Sequence, residues 1–248
     1  MEKNSKKKAG LIIQARMGSS RLPGKILLPV RSNPIFQYQI DRLHDVGCPI
    51  IIATSTEPAD KAIVDFAIGN SLYYFRGSES NVLERYYMCA RQYKLDVVIR
   101  LTSDCPLIDS VLVKDSLNSY LEENDDHLYL SNSLSRTYPR GYDFEIFSFA
   151  LLEEAYKNAE DNWDKEHVTP YIAANKSGKV RVRQVINGEN NSCFRLTLDT
   201  QEDFELLSLL IEKFGAEKLS GNAIIDILRT HPELVAINKH VEQKTYPQ

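Results

Sequence analysis

Through the first half of the chain, short unbroken apolar runs alternate with stretches in which apolar side chains return every three or four positions. Runs of the first kind form the centres of residues 11–13, 49–54, 72–75 and 96–101. Short runs without polar alternation read as strands buried on both faces. Between them, residues 34–46 set Ile35, Tyr38, Ile40 and Leu43 at helical spacing, with Pro34 suited to a first helical position and Gly47 to the stop. Residues 59–68 and 81–93 also read as helices. Strand and helix in alternation predict a parallel sheet covered by helices. Right-handed crossovers then bring the loops at 16–25, 54–56, 76–79 and 102–109 to one face.

The second half changes character. Helices are expected over 110–121, 148–159 (capped by Ser148), 163–174 (interrupted near Pro170), 200–214 and 223–229. Strands are expected over 127–130, 180–186 and 193–198. Residues 137–147 alternate near their end, with Tyr142, Phe144 and Ile146 on one side and Asp143 and Glu145 on the other. With no internal repeat and no clean linker, residues 1–248 read as a single domain with an inserted β-rich segment at 127–195. An isolated β-ribbon needs a surface on which to bury its apolar side. That segment is therefore expected to pack against a second copy, giving a homodimer.

Composition narrows the class. The chain has 248 residues, 43% of them hydrophobic, enough for a substantial core, and a formal charge of −4. An acidic balance argues against binding long nucleic acid, whose usual footprint is a basic face. No apolar run is long enough for a membrane span. The four cysteines form no C-x-x-C pair, which fits a reduced, cytoplasmic protein and not a structural zinc site. Residues 1–8 are polar and lysine-rich and read as a frayed, solvated tail.

Against that acidic background, one loop concentrates positive charge. Directly after the run at 11–13 comes Ala15-Arg16-Met17-Gly18-Ser19-Ser20-Arg21-Leu22-Pro23-Gly24-Lys25. In an open α/β sheet such a loop lies at the carboxyl end of a strand, where ligands bind. Amides of a Gly/Ser loop can converge on an anion, and Arg16, Arg21 and Lys25 can neutralise phosphate charge. It is not a Walker A loop: Gly18 and Gly24 enclose one residue too many, and Ile26 follows the lysine. Nor is the dinucleotide G-x-G-x-x-G pattern present. A solvated basic turn and an unfamiliar polyphosphate loop are the two readings.

Phosphate chemistry calls for a divalent cation, and Mg²⁺ is held by one or two carboxylates with phosphates and water. Asp104 follows the run at 96–101, and Asp199 closes the run at 195–198. Each is a candidate ligand; the competing reading is a cap or turn residue. Asp109 and Asp203 read as cap or first-turn residues. Glu145, Glu166 and His167 in the second half read either as substrate contacts or as ordinary polar residues, and no Ser-His-Asp arrangement is recognisable.

Taken in order, these segments resemble the CMP-sugar synthetases (cytidylyltransferases), in particular the spore coat polysaccharide biosynthesis protein F type. The likeness rests on the loop at 15–25 and on Ala53-Thr54-Ser55, Arg76-Gly77-Ser78-Glu79 and Arg100-Leu101-Thr102-Ser103-Asp104-Cys105-Pro106. It continues through Pro139-Arg140-Gly141-Tyr142-Asp143-Phe144-Glu145, Glu166-His167-Val168-Thr169-Pro170-Tyr171 and Leu198-Asp199-Thr200-Gln201-Glu202-Asp203. The resemblance implies an α/β, Rossmann-like nucleotidyltransferase fold with a mixed, mostly parallel sheet. It implies CTP as donor, a sugar acid as acceptor and Mg²⁺ as cofactor. By position it implies nucleotide contacts from Ala15, Arg16, Gly18, Ser19, Ser20, Arg21, Lys25, Thr54, Ser55, Arg76, Gly77 and Ser78. Arg16, Arg21 and Lys25 would carry catalysis by neutralising the leaving pyrophosphate. Substrate contacts would come from Arg140, Asp143, Glu145, Glu166 and His167, and metal ligation from Asp104 and Asp199. Another acceptor, such as a sugar phosphate or alditol phosphate, and a non-catalytic binding protein of the same fold are the competing functions.

Overall fold

The computed structural model describes residues 7–243. In chain order the strands are β1 (Ala9–Gln14), β2 (Pro29–Val30), β3 (Asn33–Pro34), β4 (Ile50–Ser55), β5 (Tyr73–Gly77), β6 (Val97–Thr102), β7 (Leu128–Ser131), β8 (Glu145–Ser148) and β9 (Arg181–Gln184). The helices are α1 (Ile35–Leu43), α2 (Lys61–Gly69), α3 (Val82–Gln92), α4 (Ser110–Glu123), α5 (Phe149–Asn158), α6 (Asn162–His167), α7 (Pro170–Ala173), α8 (Gln201–Phe214), α9 (Gly221–Thr230) and α10 (Pro232–Asn238).

The main sheet has the order β5-β4-β1-β6-β8-β7-β9; β2 and β3 form a separate small hairpin. β1 pairs in parallel with both β4 and β6, and only β8 opposes its neighbours in the main sheet. This is the mixed, mostly parallel sheet expected. The unbroken apolar runs are explained by burial on both sides. Leu11 and Ile13 enter one core with Ile50, Ile52, Val97 and Ile99, while Ile12 enters the other with Ile51 and Val98. Each such side chain contributes about 1.5–3 kcal/mol of burial, so the strand ends carrying the loops are rigidly anchored.

From β1 the chain moves outward to β4 and β5, then returns across β1 to β6. The switch point therefore lies between the carboxyl ends of β1 and β6, the crevice where open α/β sheets bind ligands.

Several expectations change. The segment at 127–195 is not a β-rich ribbon. It adds three short strands to the main sheet and carries α5, α6 and α7. Its apolar side needs no second copy, because Tyr142, Phe144 and Ile146 are at most 1% exposed within this chain's own core. That removes the physical ground given for a dimer. Residues 193–198 do not form a strand: Cys193 lies in a turn, Phe194 N–H donates to Asn191 O at 3.1 Å, and the amides beyond divide between two partners. Leu196 N–H donates to Arg140 O at 2.7 Å, and Leu198 N–H donates to Asp104 O at 2.8 Å. Gly141, at φ 106°, permits that approach: a Cβ there would lie 2.4 Å from the Leu196 carbonyl carbon. The helix expected over 163–174 splits into α6 and α7 at Val168.

The tail reading of residues 1–8 falls largely on residues 1–6, outside the described residues. Lys7 and Lys8 are tied down: Lys7 pairs with Asp126 at 2.7 Å, and Lys8 N–H donates to Asp96 at 2.7 Å. Among the described residues, no helix is long and apolar enough to cross a membrane.

Candidate active site

The loop after β1 is fixed at its root and open at its tip. Ala15 is buried, and its N–H donates to Ala53 O at 3.1 Å. Met17 N–H donates to Asp60 Oδ1 at 2.7 Å, and Gly24 N–H closes back on Met17 O at 3.2 Å. Gly24, in the left-handed region at φ 66°, turns the chain into a 3₁₀ turn over Lys25–Leu27. Among the described residues, the amides of Gly18, Ser20 and Arg21 find no acceptor in the protein, and Gly18 and Ser20 are exposed. Free amides on a cationic loop are suited to an anion.

Lys25 is not a solvated cation. Its ammonium donates to Leu198 O at 2.6 Å and to Asp199 Oδ1 at 2.8 Å, and lies 3.9 Å from Asp104 Oδ2. Arg21 reaches Asp199 Oδ2 at 2.9 Å, and Arg195 reaches the same oxygen at 3.1 Å. The structure thus gathers Arg21, Lys25, Asp104 and Asp199 at one place beside the switch point. The backbone explains the convergence of the two aspartates: Asp104 O accepts both Leu198 N–H and the Thr197 hydroxyl. Burial raises the Asp199 carboxyl pKa, but Lys25, Arg21 and Arg195 outweigh burial and hold it below the usual value. Asp199 is an anion shared among three cations.

Arg16 is exposed and, among the described residues, its side chain makes no hydrogen bond or ion pair. It makes no ion pair with the aspartates and lies close enough to Arg85 and His167 to act on both electrostatically.

Thr54 and Ser55 are fully buried, so as placed neither contacts a nucleotide. Ser55 instead donates its hydroxyl to Asp60, the carboxylate that holds Met17. Arg76 donates to the carbonyls of Ser55 at 2.9 Å and Glu57 at 3.0 Å. The Ser78 hydroxyl accepts from Asn81 N–H at the start of α3, and Gly77 packs against Phe75 and Arg85. The side chains of Arg76 and Ser78 in the loop after β5 are thus engaged with this chain's own backbone.

The proposed substrate residues fall into separate groups. Glu145 is 7% exposed and saturated: it pairs with Arg100 and accepts from the Tyr129 and Thr169 hydroxyls. It is a buried brace, not a free contact. Asp143 is paired with Arg136. Arg140 is half-buried, and its guanidinium has no hydrogen-bond partner among the described residues; burial, Arg136 and Arg195 lower its pKa, while Asp143 and Asp199 oppose them. Such a cation is available to an anionic ligand. Glu166 is exposed, while the His167 ring lies against Trp163, with centroids 3.8 Å apart and the planes tilted by 53°. Burial lowers the His167 pKa; Glu166 opposes this, and Arg100 and Arg16 add to it.

Directly after His167 the backbone is strained. Val168 has φ 73° and ψ −53°, and Thr169 N–H donates to His167 O at 2.9 Å, which is a γ-turn of the rare positive-φ kind. A buried β-branched residue in that region is an outlier of the sort that collects at functional sites.

Sequence reasoning missed Asp60, Arg85, Arg100 and Arg195. Arg100 and Arg195 lie inside predicted strands, where a cation in an otherwise apolar run was the available signal; Arg85 lies inside a predicted helix that also carries Glu84 and Arg91, and nothing marked it.

A cationic Gly/Ser loop and two aspartates, brought to the switch point of a mostly parallel sheet, define a nucleotidyltransferase. The chain belongs to the cytidylyltransferase family, whose model matches residues 11–225. It is 36% identical over 238 residues to an uncharacterized protein of Methanocaldococcus jannaschii, covering 95% of this chain and 96% of that one. It is 33% identical over 232 residues to the spore coat polysaccharide biosynthesis protein SpsF of Bacillus subtilis, covering 90% and 94% of the two chains. Among solved structures, a cytidylyltransferase from Leptospira borgpetersenii serovar Hardjo-bovis is similar with a TM-score of 0.87 and 33% identity, covering 97% of this chain and 100% of that one.

Proposed function

We propose that the protein transfers CMP from CTP to a hydroxyl of a sugar acid, releasing pyrophosphate, in the making of a surface polysaccharide or glycan. The observation that carries the reading is the cluster in which Asp199 holds Lys25 at 2.8 Å and Arg21 at 2.9 Å, with Asp104 beside them. In the reaction the acceptor oxygen bonds to the α-phosphorus, the bond from that phosphorus to the bridging oxygen of the β-phosphate breaks, and the hydroxyl proton is released. Catalysis is then positioning and charge neutralisation, with no covalent enzyme intermediate.

The donor set fits Mg²⁺. The site offers two carboxylates, Asp104 and Asp199, both within 4 Å of the Lys25 ammonium. Two carboxylates completed by phosphate oxygens and water are what Mg²⁺ takes, and the Lys25 ammonium between Asp104 and Asp199 stands in for its charge. When bound, Mg²⁺ held by Asp104 and Asp199 would polarise the α-phosphate and acidify the attacking hydroxyl. Lys25 and Arg21 leave Asp199 for the triphosphate and stabilise charge growing on the leaving pyrophosphate. The open amides of Gly18, Ser20 and Arg21 bind phosphate oxygens, and Arg16 covers the outer side of the loop. Arg140, half-buried and with no side-chain hydrogen bond or ion pair among the described residues, binds the carboxylate of the acceptor.

The test is pyrophosphate release with Mg²⁺ across four nucleotides and a panel of acceptors. Turnover with CTP and a 3-deoxy-2-ulosonic acid supports the reading. Turnover confined to sugar or alditol phosphates would replace the acceptor, and CTP binding without turnover on any acceptor would reject the enzyme reading.

A further inference from the structure

Asp199 is held on a second side by polar residues that are not part of the cationic loop. Arg195 donates to Asp199 Oδ2 at 3.1 Å and also to both oxygens of Asp203, at 2.8 and 2.9 Å. Asp203 is fully buried and accepts the backbone N–H of Asp199 at 2.9 Å and of Thr200 at 3.1 Å. Asn238, 2% exposed at the end of α10, closes the set: its amide donates to Asp203 Oδ1 at 2.8 Å and to Arg195 O at 3.1 Å.

Capping accounts for only part of this. Thr200 and Asp203 make a complete capping box for α8 by themselves. A cap does not require a buried guanidinium, nor an amide brought from the far end of the chain. Burying an ion pair stabilises little once desolvation is counted, but a fully hydrogen-bonded one fixes geometry. What the Arg195–Asp203 pair fixes is the carboxylate and the backbone of Asp199. The family match ends at residue 225, whereas α10 spans Pro232–Asn238, so the last element of the brace lies beyond the matched region.

We propose that Arg195, Asp203 and Asn238 are positioning residues for Asp199, and that α10 thereby forms part of the catalytic machinery. This rests on the reading that Asp199 receives the cation and triphosphate. Partners that orient metal-binding side chains typically change metal affinity about 10–100-fold when removed, and Asn238, one bond further out, belongs at the lower end.

The experiment is a double-mutant cycle on the full chain: wild type, Asn238→Ala, Asp199→Asn and the double variant, each checked for an unchanged circular dichroism spectrum. Two affinities are read: Mn²⁺ for the CTP complex, by electron paramagnetic resonance, and CTP without metal, by calorimetry. Asn238→Ala is expected to weaken Mn²⁺ binding about tenfold in the wild-type background and to change nothing in the Asp199→Asn background. Asn238→Ser, which keeps a short donor, is expected to recover part of the loss and replaces Asn238→Ala if that variant does not fold. Equal losses in both backgrounds, or no loss in either, overturn the proposal. If Asp199→Asn itself binds Mn²⁺ like wild type, the metal reading fails on its own. The metal-free CTP affinities then decide the brace: coupling between the two positions supports it and additivity overturns it.

Discussion

Replacing Asp199 by Asn should tighten CTP binding in the absence of metal while removing most of the turnover in its presence. In the ligand-free protein Asp199 engages the two loop cations that the triphosphate needs, Lys25 at 2.8 Å and Arg21 at 2.9 Å. The side chains are partly shielded, Lys25 13%, Arg21 28% and Asp199 11% exposed, so screening by water is incomplete. A hydrogen bond to a charged group contributes roughly 1.5–3 kcal/mol. Without metal, the triphosphate must break two such bonds and approach a carboxylate. Asn keeps the shape and one acceptor but removes the charge. Regaining even one of these bonds is worth about 10- to 100-fold in affinity. With Mg²⁺, losing an anionic ligand removes several kcal/mol of transition-state stabilisation, a fall of about a hundredfold or more in kcat. Calorimetry in EDTA and pyrophosphate release in Mg²⁺ measure the two effects. Metal-free affinity equal to or weaker than wild type would refute the competition between Asp199 and the triphosphate.

The remaining predictions follow from individual placements. Lys25→Ala and Arg21→Ala should each lower kcat/KM by about tenfold to a hundredfold in the pyrophosphate assay, and Lys25→Ala should also lower Tm, because its ammonium is largely buried against Asp199 and Leu198 O. Thr54→Val should leave CTP affinity unchanged and raise Tm or leave it unmoved, since the Thr54 hydroxyl is buried without a partner; a loss of CTP affinity in calorimetry would restore Thr54 to the nucleotide site. His167 should be neutral at pH 7, because its folded pKa lies below 6.5. The stability this contributes is full above pH 6.5 and is lost as pH falls through the lower folded value, so the denaturation midpoint of His167→Gln should depend less on pH in that range than wild type.

The parts of the fold set by local pattern were legible in the sequence. The runs at β1, β4 and β6 are apolar on both faces, and their helices carry clear periodicity and stops, such as Gly47 at φ 81°. The convergence of Asp104 and Asp199 was expected on a ground that holds only for Asp104, which follows β6; Asp199 follows residues that form no strand and is brought there by the Leu198 N–H and Thr197 hydroxyl on Asp104 O. The rest depended on pairings that no local pattern encodes. Residues 193–198 look like a strand but divide their hydrogen bonds between Arg140 and Asp104. Tyr142, Phe144 and Ile146 look like a face in need of a partner molecule, yet the chain's own core covers them. Thr54 and Ser55 show the limit of position-by-position resemblance: both lie at the expected strand end, with their side chains turned into the protein. Asp203 read as an ordinary first-turn residue, which it is, and only the fold reveals Arg195 and Asn238 on its carboxylate.

The central claim is that Asp104 and Asp199 together receive one divalent cation while Lys25 passes to the triphosphate. Anomalous diffraction from crystals grown with CTP and Mn²⁺ tests it most directly. The expected result is an ion bound by both carboxylates at about 2.0–2.2 Å, with the Lys25 ammonium moved from Asp199, where it sits at 2.8 Å, onto a phosphate oxygen. An ion held elsewhere, or CTP bound with Lys25 still on Asp199, would contradict it.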